Sequence, residues 1–167
     1  PYQAGDIVTS YQDAQDLVFN VLCSTATVTS LIYGGSTNIY AAGRLRASDF
    51  DTIEAARRTA GTPNLVLAVT VGWGGERRVG RTTHLWRQNI VVRVHDRPIG
   101  NGYNIKRIRD KISAALEGLS THITGKGLVN ITYMPSGGLE YDVELQTTFE
   151  ALFFSLLVSD HVGDGRP

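Results

Sequence analysis

The stretch "LWRQNIVVRVHDRPIGNGYNIKRIRDKISAALEGL", residues 85–119, changes its period halfway along, and that change decides the fold. Before Pro98, Trp86, Ile90, Val92 and Val94 share one parity with His84, while Val91, Arg93 and His95 share the other. A period of two marks a strand. After Gly102, Ile105, Ile108, Ile112, Ala115, Leu116 and Leu119 recur at steps of three and four. Lys106, Arg107, Arg109, Asp110 and Lys111 occupy the opposite side. One apolar stripe with a charged back is the pattern of a helix lying on a sheet.

On the N-terminal side, Pro63 leads into "NLVLAVTVGW", where Leu65, Leu67, Val69 and Val71 alternate with Val66, Ala68, Thr70 and Gly72. This is a second strand. Between the two strands lies the segment 72–80, which holds Gly72, Gly74, Gly75 and Gly80. Gly75, Gly80, Arg81 and Thr82 have the G-x-x-x-x-G-K-[ST] spacing of a phosphate-binding loop, with Arg in place of Lys. Such a loop must run straight into a helix, whose N-terminal N–H groups hold the phosphates. Here a strand follows, and Arg does not replace the Lys. The expectation is therefore a long β-hairpin with a glycine-rich, basic tip and no nucleotide. Trp73 and Trp86 flank that tip, which carries Arg77, Arg78 and Arg81. Trp and Arg are favoured anchors of protein interfaces, so these five residues are candidate contacts, with a solvated hairpin end as the plainer reading.

On the C-terminal side, "GLVNITYMP" alternates as a strand and "SGG" at 136–138 is read as a turn. Tyr141, Val143, Leu145, Thr147 and Phe149 then alternate with Asp142, Glu144, Gln146, Thr148 and Glu150, as one long half-exposed strand. From Ala151 to Val158 both parities become apolar, through Leu152, Phe154 and Leu156. A strand apolar on both sides is covered on both sides, by its own helices or by another subunit. Leu152, Phe154 and Leu156 therefore join the candidate interaction residues. The polar segment 159–167 is expected to be a flexible tail.

Near the start, Ser10 and Asp13 resemble a capping box, and Ala14, Leu17, Val18, Val21 and Leu22 follow at helical spacing over about 10–23. "TATVTSLIYGG" reads as a short second helix ended by Gly34 and Gly35. Residues 36–63 read as a long, partly ordered connection holding one short strand and a helical turn or two. The sum is one α+β domain over 1–158: a four-stranded, mainly antiparallel sheet with a long hairpin, and helices packed on one face.

Composition limits the function. Sixteen Lys and Arg balance sixteen Asp and Glu, so the basic excess usual in a nucleic-acid binder is missing. No apolar run approaches the ~20 residues that span a bilayer. Cys23 is the single cysteine and lies on an apolar helix face, so neither a disulfide nor a nucleophile is expected. The polar start shows no secretory signal, and an intracellular product is expected. His84, His95, His122 and His161 are scattered and form no metal-ligand pair. Asp142, Glu144 and Glu150 share one strand face as ordinary solvated carboxylates. No enzyme, cofactor or metal is expected.

The order of elements resembles the tail terminator, or tail completion, proteins of long-tailed bacteriophages. The resemblance runs over about residues 10–158: the helical opening "LVFNVLCSTATVTSLIYGG", the Pro-led strand "TPNLVLAVTVG", the long strand "RQNIVVRVHD", the helix "YNIKRIRDKISAALEGL", then "GLVNITYMP" and "YDVELQTTFEALFFSLLV". It rests on element order and not on a diagnostic residue set. It implies a virion protein, made in the host cytoplasm, that forms a six-fold ring at the head-proximal end of the tail tube. Such a ring ends tube growth and meets the tail tube protein below and the head-completion connector above. DNA only passes through its channel, and no membrane is involved. The alternatives are a neighbouring neck or head-completion adaptor and, from another class, a nucleotide-dependent enzyme built on the loop at 75–82.

Overall fold

The computed structural model describes residues 11–79, 85–98, 102–117, 120–123, 127–134 and 137–159. The chain opens with helices α1 (Tyr11–Ser24) and α2 (Ala26–Thr29) and a single 3-10 turn (Gly35–Asn38). Strand β1 (Ile39–Ala41), helix α3 (Ala47–Ala60), and strands β2 (Ala68–Arg78) and β3 (Leu85–Asp96) follow. Helix α4 (Tyr103–Leu116) precedes β4 (Ser120–Ile123), β5 (Gly127–Met134), β6 (Leu139–Asp142) and β7 (Thr147–Ser159).

The strands form one sheet in the order β1-β2-β3-β7-β5-β4, and β6 also pairs with β7. Every pairing is antiparallel except that of β1 with β2. The mainly antiparallel α+β reading holds, but four strands are too few. β1, β4 and β6 are three or four residues long, too short to show an alternation of their own.

One face of the sheet carries Val69 and Val71 of β2, Ile90, Val92 and Val94 of β3, Ile131 of β5, and Leu152, Phe154 and Leu156 of β7. Ala14, Val18 and Leu22 of α1, Val28 of α2, and Ile105, Ile108, Ile112 and Leu116 of α4 close over it. The helix stripe 105–116 and the strand parity 90–94 thus meet in the main core. Gln15 adds a polar tie, its Nε2 donating to the Val71 carbonyl at 2.7 Å.

The expectation of helices on one face only is corrected by α3. Phe50 on α3 is buried with Leu67 and Ala68, and its ring lies 5.3 Å from that of His95, which has the parity opposite to Val92 and Val94. Helix α3 therefore covers the second face at one end of the sheet. The connection read as loose at 36–63 is the crossover that parallel β1 and β2 require. Its ends are well defined: the Asp49 carboxylate accepts the Arg46 N–H at 2.7 Å, and Gly61 closes the helix with φ of 68°. Only Phe50 and Arg57 of α3 are buried, which is why its sequence shows so weak a stripe.

Two further readings change. β2 continues through the glycines to Arg78, so 72–78 is strand and not loop. The register of β2 on β3 slips between Trp73 and Gly75, and Gly75 has φ of 125° with open space around it, as a bulge glycine requires. A Cβ on Gly74 would lie 3.1 Å from the Asn89 carbonyl oxygen and 3.2 Å from Val91 Cγ2. Gly74 therefore sits where a side chain would crowd β3. Gly80, Arg81 and Thr82 lie outside the described residues.

The strand read from Tyr141 to Val158 is two strands. β5 and β6 run one after the other along the same edge of β7, and the chain reverses at 143–146. Asp142 Oδ1 accepts the Leu145 N–H at 2.9 Å, and Gln146 takes a left-handed φ of 55°. An Asx-type bond makes this turn without Gly or Pro, so the alternation in the sequence runs through it unbroken. Of the tail expected at 159–167, everything after Ser159 lies outside the described residues.

Candidate functional site

Most of the buried polar groups gather where β3 ends. Arg57 comes from α3, His95 and Asp96 from the end of β3, Arg97 from just beyond it, Asn104 from the start of α4, and Thr147 from the start of β7. Arg57 Nη1 donates to Asp96 Oδ1 at 2.5 Å and to the Leu65 carbonyl at 2.7 Å, and its Nη2 donates to the Arg97 carbonyl at 2.7 Å. The Arg97 N–H reaches Asp96 Oδ1 at 2.8 Å. Asn104 Nδ2 donates to Asp96 Oδ2 at 3.1 Å and to the Pro63 carbonyl at 2.9 Å. Burial pushes the Asp96 carboxyl above its ordinary value, while Arg57, Asn104 and the Arg97 N–H pull the other way.

His95 lies between the rings of Phe50 and Phe149, with Nδ1 3.0 Å from Thr147 Oγ1 and Nε2 3.3 Å from Thr70 Oγ1. Burial lowers its pKa to about 4. A neutral imidazole held between two hydroxyls, beside a carboxylate engaged by three donors, is a satisfied structural network and not a poised acid–base pair. Cys23 is half-buried, and burial raises its thiol pKa, so it is not an activated nucleophile. Among the described residues no three His, Cys, Asp or Glu converge as metal ligands. No described helix is long and apolar enough to cross a membrane.

Arg97 extends this network to the surface. Its Nε donates to the Gln146 carbonyl at 2.8 Å and its Nη2 to the Leu145 carbonyl at 2.9 Å. Its Nη1 meets Asp51 at 2.7 Å and Glu54 at 3.2 Å. Burial opposes the charge on Arg97, but the Asp51 and Glu54 carboxylates outweigh it and raise its pKa. The 143–146 turn is therefore held from behind by a buried guanidinium. In front, Leu139, Tyr141 and Val143 are 40%, 45% and 76% exposed. Leu139 leans on Gly102, where an added Cβ would come within 2.2 Å of its Cδ1. The neighbouring Tyr103 is 65% exposed. Glu140 and Glu144 on the same corner are exposed. The alternation places 141–144 at the start of one long strand, which hides this corner. The local signal for it was the run of apolar and acidic residues in "LEYDVE".

The residues expected to make contacts are distributed differently. Leu152, Phe154 and Leu156 are fully buried in the subunit's own core, so the helices of this chain explain their apolarity. Of the two coverings left open for that strand, α4 and its neighbours supply this one. Trp73 is half-buried against the same core, and Trp86 is half-buried on β3. Arg77 is exposed on β2 and stands opposite Arg87, also exposed, on β3. Arg78 is opposite Trp86 in the ladder, and Arg81 lies outside the described residues.

No family model matches the chain, and no curated protein matches it either. Among solved structures, the fold is similar to a chain in "Virion of native gene transfer agent (GTA) particle", with a TM-score of 0.60 and 18% identity. The likeness covers 90% of this chain and 99% of that one, so the two share a fold over most of their length.

Proposed function

We propose that this chain is a structural protein of a phage-like virion, and that it acts as a tail terminator. It forms a six-membered ring at the head-proximal end of the tail tube, ends tube growth and offers a surface to the head-completion connector. DNA passes through the ring without being read. The observation that carries this reading is the end-to-end fold likeness to a chain of a virion particle, over the same order of elements that resembles tail terminators. The buried polar network at the end of β3 is internally hydrogen-bonded, as a structural role requires.

A ring subunit needs two different side surfaces that fit each other, because heterologous contacts close rings. The test is to label the protein in intact particles and locate it by electron microscopy, with a second set of particles made without it. Label at the junction of head and tail is expected, with unjoined tails of irregular length when the protein is missing. Label on the capsid or at the distal tail tip refutes the assignment. Twelve subunits in the purified ring, instead of six, would move the chain to a neck adaptor.

A further inference from the structure

We infer that the corner at 139–144 is the surface by which one copy of this chain grips the next, and that its counterpart is the Arg77 and Arg87 end of the neighbouring copy's sheet. The inference rests on the ring reading above and names the contact within it. Three observations carry it.

The first is the corner itself. Leu139, Tyr141 and Val143 are all exposed at alternate positions of one short stretch, and Leu139 packs on Gly102, next to the exposed Tyr103. A solvated turn has no use for such a group of apolar side chains, and grouped exposure of this kind marks an interaction surface.

The second is its rigidity. Arg97 holds the Leu145 and Gln146 carbonyls, and Asp142 holds the Leu145 N–H. The turn is ordered before any partner arrives, which removes much of the entropy cost of docking.

The third is charge. The corner carries Glu140 and Glu144, both exposed. At the other end of the sheet Arg77 and Arg87 face each other across β2 and β3, and like charges directly opposite are unfavourable in a lone subunit. No ion pair to either arginine lies among the described residues. Arg87 is eight positions from His95 on β3, about 26 Å at the rise of a strand. The acidic, apolar corner and the basic pair are thus separate surfaces at opposite ends of one sheet. Two complementary surfaces that do not overlap let each copy bind two others, as a closed ring needs.

Charge exchange tests the contact directly. One variant carries Glu140→Arg and Glu144→Arg, the other Arg77→Glu and Arg87→Glu. Each full-length protein is checked for folding by circular dichroism and weighed by native mass spectrometry over a range of concentrations. Each variant alone should associate about 100-fold more weakly than wild type, since like charges then face each other. An equal mixture should recover the ring, with the two proteins in equal numbers, because every corner now finds a hairpin end of opposite charge. Val143→Ser gives an independent reading, with weaker association and unchanged folding expected.

Rings that persist in both charge variants, or a mixture that recovers nothing, overturn the contact and leave the ring reading standing. A wild-type protein that stays monomeric at every concentration overturns the contact as well. Particles labelled away from the head–tail junction overturn the terminator reading and leave the contact untouched.

Discussion

Replacing Arg57 by Met removes one half of a buried ion pair and leaves the other half in place. In the wild type the Arg57 and Asp96 side chains are 7% and 3% exposed and meet at 2.5 Å. Arg57 also donates to the Leu65 and Arg97 carbonyls, so both lose that donor while Asp96 Oδ1 keeps only the Arg97 N–H. Breaking a buried pair from one side costs about 3–5 kcal/mol, chiefly because the remaining charge is left uncompensated. In a domain of this size that corresponds to a fall in Tm of about 6–20 °C.

The loss depends on pH, with a definite sign. Burial already raises the folded-state pKa of Asp96, and Arg57 is the main influence holding it down. Without Arg57 the folded-state pKa rises further above the unfolded value. The folded variant then binds a proton that the unfolded chain releases, so acidification from neutrality towards the unfolded pKa favours folding. The variant should recover part of its deficit at pH 5 relative to pH 7. Adding Asp96→Asn should restore much of the rest, since no charge is then stranded. Urea denaturation followed by circular dichroism at both pH values measures each quantity. A loss below about 1 kcal/mol at pH 7, or a larger loss that ignores pH, would refute the clamp.

His95 should work in the opposite direction. Its folded-state pKa of about 4 lies below the unfolded value of 6.5, so stability is lost as pH falls through that window, by up to about 3 kcal/mol. His95→Gln should flatten that slope in an acid titration of stability. Phe154→Ala should cost about 3–5 kcal/mol in chemical denaturation, while Arg77→Ala should stay within about 0.5 kcal/mol, since one is core and the other exposed. Calorimetry with ATP, GTP and magnesium should show no saturable heat; micromolar binding that disappears in Arg81→Ala would revive the nucleotide reading.

Periodicity determined the long elements of this protein. The stripe from Ile105 to Leu116 had to be a helix, and the alternation from Trp86 to Val94 had to be a strand, because each pattern puts apolar groups on one side only at its own period. The long elements and their order were legible for the same reason; the short strands β4 and β6 and helix α3 were not. What the sequence left undecided was held by contacts distant along the chain. α3 buries little beyond Phe50 and Arg57, and the partner of Arg57 is Asp96, 39 residues away. The 143–146 turn is made by one side-chain bond and by Arg97, with no glycine or proline to announce it. Whether the apolar end of β7 served the core or a neighbour depended on where α4 came to rest. Local pattern reports which groups avoid water, but which groups cover them is settled only when the chain closes on itself. The corner at 139–144 became visible at that point, where Leu139, Tyr141 and Val143 stay exposed among the described residues.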